Sequence, residues 1–126
     1  MELIETAAAP IPLGHYSQAV KANGFVFLSG QLPLVPGGDE PMAETIEEQT
    51  RQTLENLRQI LLAAGSSVDR LVSVQIFIPD VELWPPVNRI YEKFMGNHRP
   101  ARSVVPTRDL HLGAMIEINA IAVTKD

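Results

Sequence analysis

The sequence predicts an α+β fold in which a β-sheet carries two α-helices packed on one of its faces. Apolar residues alternate with polar ones in several short segments, and in two longer segments they recur every three or four residues. Proline, glycine and asparagine separate these segments. The resulting order is a β-hairpin, a helix, a strand, a helix and two final strands. Placing both helices on one face of the sheet buries the apolar side of each element.

The first predicted element is a β-hairpin formed by Ser17–Ala22 and Phe25–Ser29. The Asn23-Gly24 dipeptide between these segments readily takes positive φ angles, which a two-residue type I′ turn requires. The second segment is rich in β-branched and aromatic residues, as strands are. Pro33–Pro41 then predicts a loop, because its prolines and the adjacent Gly37-Gly38 interrupt strand pairing.

The longer of the two predicted helices begins after Thr45. Thr45 and Glu48 have the spacing of a capping box, in which each side chain binds a free backbone N–H. Glu47 and Arg51 are one turn apart, so we expect them to pair on the solvated face. Gly65 suits the position that ends the helix. The apolar stripe comprises Ile46, Thr50, Leu54, Leu57, Leu61 and Ala64.

Three strands and a second helix complete the predicted fold. Leu71–Ile78 alternates and predicts a strand whose buried face carries Val72, Val74, Ile76 and Ile78. The second helix starts with Pro85-Pro86 in its first turn, where the missing N–H groups have no helical partner. Its aromatic stripe is interpreted as core rather than as a cofactor box and comprises Trp84, Val87, Tyr91 and Phe94. The final strands are Ala101–Val105 and Met115–Val123.

Length and composition exclude several classes of protein. The chain has 126 residues, which predicts one domain over residues 1–126. It has no cysteine, which excludes a disulfide framework, a thiolate metal site and a cysteine nucleophile. A formal net charge of −5 disfavours nucleic acid as a partner. The start of the chain does not resemble a secretory signal, and no apolar stretch is long enough for a membrane span, so we expect a cytoplasmic protein.

The usual sequence signatures of metal and cofactor sites are absent. The three histidines His15, His98 and His111 are far apart and have no ligand spacing typical of zinc. The sequence contains neither a GxGxxG nor a Walker loop for phosphate, nor a GxSxG elbow for a serine nucleophile. We therefore expect chemistry without a metal or a cofactor, or binding alone.

Two charged residues interrupt the final predicted strands. Glu117 lies in an apolar strand and shares a face with Asn119, and Arg102 lies in the strand before it. A carboxylate in such a strand is exposed, paired or functional. One interpretation is a structural ion pair between Arg102 and Glu117. The other is that Arg102 binds a substrate carboxylate while Glu117 handles a proton or water.

Several segments together carry a resemblance to a known family. They are Gly14–Val20, Val26–Pro33, Glu47–Gly65, Val87-Asn88 with Tyr91 and Phe94, Arg99–Val105 and Ile116–Ala122. In this combination the chain resembles the Rid (YjgF) family of enamine/imine deaminases over nearly its whole length. The resemblance implies a chorismate-mutase-like α+β fold and a homotrimer with ligand clefts between subunits. It also implies hydrolysis of 2-imino acids to 2-keto acids and ammonia.

The same resemblance implies roles for individual residues. Arg102 would bind the substrate carboxylate, and Glu117 would position or deprotonate the attacking water. Tyr16 would line the cleft, and Ser29 with the Gly30 backbone would contact the substrate. The role of Asn88, which also matches a family position, is expected to be structural.

The chain departs from the family pattern at a few positions near these residues. Val104 replaces a frequent cysteine, so substrate contact there is expected from the backbone without a thiol. His15 replaces a frequent proline, Asn119 replaces a second glutamate, and the segment around His111 lacks the usual proline. These departures leave the reaction type as the resemblance implies and the substrate open. Two alternatives remain: a trimer that binds small carboxylates without turnover and, with less support from the acidic charge, a translation inhibitor acting on RNA.

Overall fold

A computed structural model describes residues 1–125 and contains a six-stranded mixed sheet with two helices. The strands are β1 (Glu2–Ile4), β2 (Ala19–Ala22), β3 (Phe25–Gln31), β4 (Leu71–Ile78), β5 (Ala101–Pro106) and β6 (Glu117–Val123). The helices are α1 (Ile46–Ala63) and α2 (Trp84–Met95). The predicted α+β class is therefore confirmed. Asp126, the last residue of the expected domain, lies outside the described residues.

The strand order along the sheet is β1-β2-β3-β6-β4-β5. The last strand of the chain therefore lies in the middle of the sheet, between β3 and β4. The pair β4 and β5 is parallel, and the other neighbours are antiparallel. Both helices pack on one face, where their buried residues form one core with alternate residues of β3, β4 and β6.

The predicted hairpin is confirmed as β2 and β3. Asn23 and Gly24 have φ angles of 53° and 82°, as the type I′ turn requires. The first strand of the sheet, β1, was missed by the sequence analysis. It is three residues long and two of them are exposed, so it is too short to show a periodic pattern.

Helix α1 begins and ends where the sequence predicts. The Thr45 hydroxyl accepts a hydrogen bond from the Glu48 backbone N–H at 3.2 Å, and Gly65 has a φ of 77° just after the helix. The whole apolar stripe is buried. One side-chain expectation was wrong, because Arg51 pairs with Glu48 rather than with Glu47.

The strand β4 has the predicted bounds, and Val74, Ile76 and Ile78 are buried as predicted, but Val72 is not. Val72 is 43% exposed, whereas Leu71 is buried. The cause is a register shift: Leu71 lies opposite Ala122 and Ser73 opposite Ile121, so β4 holds one extra residue at this point. The bulge turns Val72 away from the helices.

The second face of the sheet carries large apolar side chains that residues 1–125 leave exposed. Phe25, Phe27 and Leu3 are 40%, 45% and 66% exposed. Leu3 belongs to β1, whereas Phe25 and Phe27 belong to β3, and both Leu3 and Phe27 lie opposite Val20 of the intervening strand β2. Within residues 1–125, neither helix has the length and apolar character needed to cross a membrane.

Candidate functional site

Four of the predicted site residues lie together in one cleft. Tyr16, Ser29, Gly30 and Glu117 line a cavity of about 430 Å³ at the end of β3 and β6. The remaining lining residues are Leu13, Gly14, Leu32 and His111. We call this cavity the glutamate cleft. Most of its wall is apolar, so a charged group inside it is weakly screened.

A β-bulge in β3 shapes the floor of the glutamate cleft. Leu28 lies opposite Ala120 while Gln31 lies opposite Ile118, so β3 has one extra residue between these pairs. The extra residue falls at Ser29 and Gly30, where strand β3 meets Glu117. The Ser29 hydroxyl donates a hydrogen bond to the Ser17 carbonyl oxygen at 2.6 Å, which ties the bulge to the preceding loop.

Gly30 makes room for the Glu117 carboxylate. A Cβ atom at position 30 would lie 2.2 Å from Glu117 Oε2 and 3.0 Å from its Cδ. Any side chain at position 30 would therefore displace the carboxylate. The family resemblance assigns substrate contact to the backbone of Gly30. The absence of a side chain at Gly30 has this steric role as well.

Burial raises the pKa of the Glu117 carboxyl above its ordinary value. The nearby His111, when protonated, lowers the pKa and partly offsets this effect. A half-buried carboxylate with a raised pKa is a better proton acceptor than a solvated one. Glu117 therefore has the electrostatic setting of a general base.

The wall opposite Glu117 comes from the loop before β2. The Tyr16 hydroxyl accepts a hydrogen bond from the Leu13 backbone N–H at 3.3 Å, and the Tyr16 side chain is exposed at the mouth. The buried Gln18 accepts from the Thr6 backbone N–H at 2.7 Å and donates to the Pro10 carbonyl oxygen at 2.9 Å. These bonds hold the loop that carries Tyr16.

His111 is a cleft residue to which the sequence analysis gave no role. It begins a short 3₁₀ turn in which Leu112 has a φ of 59°. A left-handed conformation is unfavourable for leucine, so the turn that holds His111 beside the cleft is strained. The only signal in the sequence was that this segment lacks the proline usual in the family. His15, the other histidine near Tyr16, is exposed and lies outside the cleft lining.

Arg102 lies in a different cavity. It lines a cleft of about 600 Å³ with Asn88, Tyr91 and Arg99 among the other lining residues. We call this cavity the arginine cleft. The Arg102 Nη1 group donates to Asn88 Oδ1 at 3.1 Å, and its Cζ lies 4.6 Å from the ring centroid of Trp84.

The predicted meeting of Arg102 and Glu117 does not occur within one chain. In the register of the sheet, Arg102 lies beside Val74 on the helix face, whereas Glu117 lies beside Phe77 on the other face. Strand β4 separates them, and a separation of two strands and three residues puts their Cα atoms about 14 Å apart. The structural ion pair is therefore excluded in the single chain.

Val104 also lies away from the glutamate cleft. It is beside Ile76 on the helix face of the sheet, and its side chain packs against the core. Neither cleft has Val104 in its lining. The predicted substrate contact at this position stays a prediction that concerns the backbone alone.

The described residues 1–125 contain no group of three or more histidine, aspartate or glutamate side chains that is placed to hold a metal ion. The donors in the glutamate cleft are one carboxylate and one imidazole. That a cofactor is not required stays a prediction from the sequence.

Comparisons with known proteins agree with this fold. The family profile described as Endoribonuclease L-PSP matches residues 6–124. Reactive Intermediate Deaminase A, chloroplastic, of Arabidopsis thaliana is 43% identical over 121 residues, which are 96% of this chain and 65% of that protein. The solved structure of YyfA from Yersinia pestis, described as a conserved Rid family protein, is 40% identical with a TM-score of 0.94 and covers 98% of both chains. The solved structure of E. coli TdcF with bound serine is 36% identical with a TM-score of 0.94 and covers 99% of this chain and 100% of that one.

Proposed function

The chain belongs to the Rid (YjgF) family, whose chorismate-mutase-like α+β fold it shares, and from that premise we propose that it hydrolyses 2-imino and 2-enamino acids to 2-keto acids and ammonia. The observation that supports this most directly is the glutamate cleft. It places Glu117, with a raised pKa, beside Tyr16, Ser29 and Gly30 in a largely apolar cavity. Proton transfer to and from a small bound substrate is the chemistry this arrangement favours.

The proposed reaction needs a proton acceptor that later acts as a donor. Glu117 takes a proton from water as the water oxygen bonds to the imine carbon, and the C=N electron pair moves to nitrogen. Glu117 returns this proton to the nitrogen, which gives the neutral carbinolamine. Glu117 then takes the proton of the carbinolamine hydroxyl and transfers it to the same nitrogen, so that the C–N bond breaks as the C=O bond forms and ammonia leaves. An imine next to a carboxylate is already electrophilic, so orientation and proton transfer are the main requirements.

Arg102 is proposed to bind the substrate carboxylate by paired, charge-assisted hydrogen bonds. Because Arg102 and Glu117 lie on opposite faces of the sheet, a complete site requires Arg102 from a second copy of the chain. The uncovered apolar face with Phe25 and Phe27 supports such an association. We propose a homotrimer with clefts between subunits, as the family resemblance implies.

The TdcF structure supports the proposed class of ligand. Serine has a carboxylate and a nitrogen on the same carbon, and this is also the arrangement in a 2-imino acid. A 36% identical protein of the same fold therefore binds a molecule of the proposed size and chemistry. The preferred side chain of the substrate stays open, and a cytoplasmic location stays a prediction.

The proposal is tested with imino acids generated in situ by an amino-acid oxidase. Purified protein is expected to accelerate the loss of at least one among small, branched and aromatic imino acids. Arg102→Ala should lower kcat/KM at least about 100-fold, because it removes two charge-assisted hydrogen bonds. Arg89→Ala removes an exposed arginine of α2 and serves as the control for loss of one positive charge.

The same assay separates a deaminase from a carboxylate-binding protein. Glu117→Gln should lower kcat by about 10²- to 10⁴-fold while the affinity for the 2-keto acid product changes little. Equal loss of turnover and affinity would instead make Glu117 a binding or structural residue. If wild-type protein binds 2-keto acids but accelerates none of the imino acids, the chain is a carboxylate-binding protein.

Cleavage of RNA is the weaker alternative, although the matching family profile is described as an endoribonuclease. A net charge of −5 does not favour binding to a polyanion. Incubation with single-stranded RNA is the direct test. RNA cleavage that Glu117→Gln abolishes would favour this alternative.

A further inference from the structure

Arg102, on the edge strand β5, lies close to two aromatic rings. Its Cζ atom lies 4.6 Å from the ring centroid of Trp84 and 5.0 Å from that of Tyr91. Both distances are within the range of cation–π interactions, and tryptophan is the aromatic residue with the strongest such interaction. We call Trp84 and Tyr91 together the aromatic platform.

The spacing along α2 explains how these side chains reach one guanidinium. Trp84, Asn88 and Tyr91 are separated by four and three residues, so they lie on one face of the helix. That face packs on the helix side of the sheet, where Arg102 lies beside Val74. Two turns of one helix therefore supply all three contacts.

Asn88 gives Arg102 a neutral partner. Its Oδ1 accepts from Arg102 Nη1 at 3.1 Å, and its Nδ2 donates to Glu92 Oε1 at 3.0 Å. Since the acceptor is an uncharged amide, it does not offset the positive charge of the guanidinium as a carboxylate partner would. A guanidinium has five N–H donors, so one bond to Asn88 leaves donors available for a carboxylate.

The ring of Tyr91 contacts Arg102, whereas its hydroxyl forms no hydrogen bond within the described residues. The residue is 5% exposed, and its buried hydroxyl has no hydrogen-bond partner in the part of the chain that the structure describes. An unpaired buried hydroxyl is unfavourable, so hydrogen bonding gives no reason for tyrosine rather than phenylalanine here. The Tyr91 ring packs in the hydrophobic core and also lies within cation–π distance of Arg102.

We infer that Trp84 and Tyr91 are positioning residues that hold Arg102 flat against α2 and orient its free N–H groups for the substrate carboxylate. This inference rests on the proposed function, because it concerns the arginine that would bind the substrate. A pre-oriented guanidinium loses less side-chain entropy when the carboxylate binds. The platform therefore acts on substrate affinity rather than on the chemical step.

The test compares variants that keep the rings with variants that remove them. Trp84→Leu and Tyr91→Leu are each expected to raise KM, and the Kd for 2-oxobutanoate measured by calorimetry, by about 3- to 30-fold with kcat within about twofold. Trp84→Phe and Tyr91→Phe keep an aromatic face and should recover most of the affinity. A purely structural role would lower thermal stability without this split between KM and kcat.

Trp84 also provides a direct signal in the unaltered protein, because it is the single tryptophan of the chain. Binding of 2-oxobutanoate to Arg102 should change the Trp84 fluorescence, and Arg102→Ala should abolish that change. This measurement keeps the inference testable even if the leucine variants fail to fold. Saturating 2-oxobutanoate that leaves the fluorescence unchanged, while calorimetry shows binding, would overturn the inference.

The outcomes also distinguish this inference from the proposed function. If Trp84→Leu and Tyr91→Leu bind 2-oxobutanoate as tightly as wild type while Arg102→Ala does not, the aromatic platform is unnecessary and the proposed function stands. If Arg102→Ala itself retains binding and turnover, the proposed role of Arg102 fails, and the inference about the aromatic platform fails with it. Wild-type protein that binds 2-oxobutanoate but accelerates the hydrolysis of none of the imino acids contradicts the proposed deaminase activity and leaves the role of the platform in binding intact.

Discussion

At the scale of single residues, the glutamate cleft depends on the pair formed by Gly30 and Glu117. The carboxylate occupies the space that a Cβ atom at position 30 would take. It is also half-buried, which raises its pKa. The position of the carboxylate thus depends on the space at Gly30. Its raised pKa has a separate cause, which is desolvation by the cleft wall.

Gly30→Ala is expected to lower kcat/KM at least about 10-fold, because misplacing a proton-transfer group removes much of its contribution. The added methyl group would lie 2.2 Å from Glu117 Oε2, so the carboxylate must move. The Glu117 carboxylate is the end of a flexible side chain and can move without displacing the backbone. We therefore expect the free energy of unfolding in urea to fall by no more than about 1 kcal/mol. Large loss of stability, or full activity, would contradict this account of Gly30.

The pH dependence of kcat/KM should report the pKa of Glu117. A general base works when deprotonated, so activity falls as the pH drops through this pKa, which burial places above the ordinary glutamate value of about 4.3. Protonated His111 lowers the pKa. His111→Gln removes that positive charge, so the acidic limb of the profile should move to higher pH. A limb that stays in place, or moves to lower pH, would exclude His111 as the group that offsets the burial.

At the scale of elements, buried amide side chains hold the loops around the glutamate cleft. Gln49 of α1 accepts from the Met115 backbone N–H at 2.9 Å, just before β6. Asn56 of α1 donates to the Leu34 carbonyl oxygen at 2.8 Å. Gln18 holds the N-terminal loop, because it accepts from the Thr6 backbone N–H and donates to the Pro10 carbonyl oxygen. These residues are polar, so an analysis of apolar periodicity does not detect them, although they decide where the cleft walls lie.

Gln18→Ala should lower the free energy of unfolding by about 2 kcal/mol, because it leaves backbone groups of the N-terminal loop without their partners. It should also raise KM, since the loop carries Tyr16. Gln59→Ala removes an amide on the surface of α1, which binds Glu55, and should change stability by less than about 0.5 kcal/mol. Urea denaturation of both variants measures the difference. Equal effects would show that Gln18 does not hold the loop.

At the scale of the whole molecule, one chain carries two incomplete halves of the proposed site. The glutamate cleft and Arg102 lie on opposite faces of the sheet, with β4 between their strands. A closed ring of copies can bring the arginine of one chain to the glutamate of the next. The uncovered apolar face gives a reason for the copies to associate.

Subunit mixing tests this arrangement. Arg102→Ala and Glu117→Gln are each expected to be nearly inactive, but each keeps the half of the site that the other lacks. Unfolding and refolding an equal mixture should restore about a quarter of the wild-type sites if trimers form at random. Each variant refolded alone is the control. Activity that does not return, in a mixture shown by light scattering to be trimeric, would mean that both groups do not serve one site from neighbouring chains.

The sequence by itself determined the types of the elements other than β1, the β2–β3 turn, the limits of α1 and the chemical groups proposed for the site other than His111. These properties depend on side-chain period and on contacts between residues close in the chain, which are visible in sequence. Only the tertiary structure decided that β6 lies between β3 and β4, that bulges redirect Val72 and open space at Gly30, and that His111 joins Glu117. It also placed Arg102 against Trp84 and away from Glu117. Strand order and register arise from hydrogen bonds between residues far apart in the chain, and a single extra residue reverses which face a side chain takes.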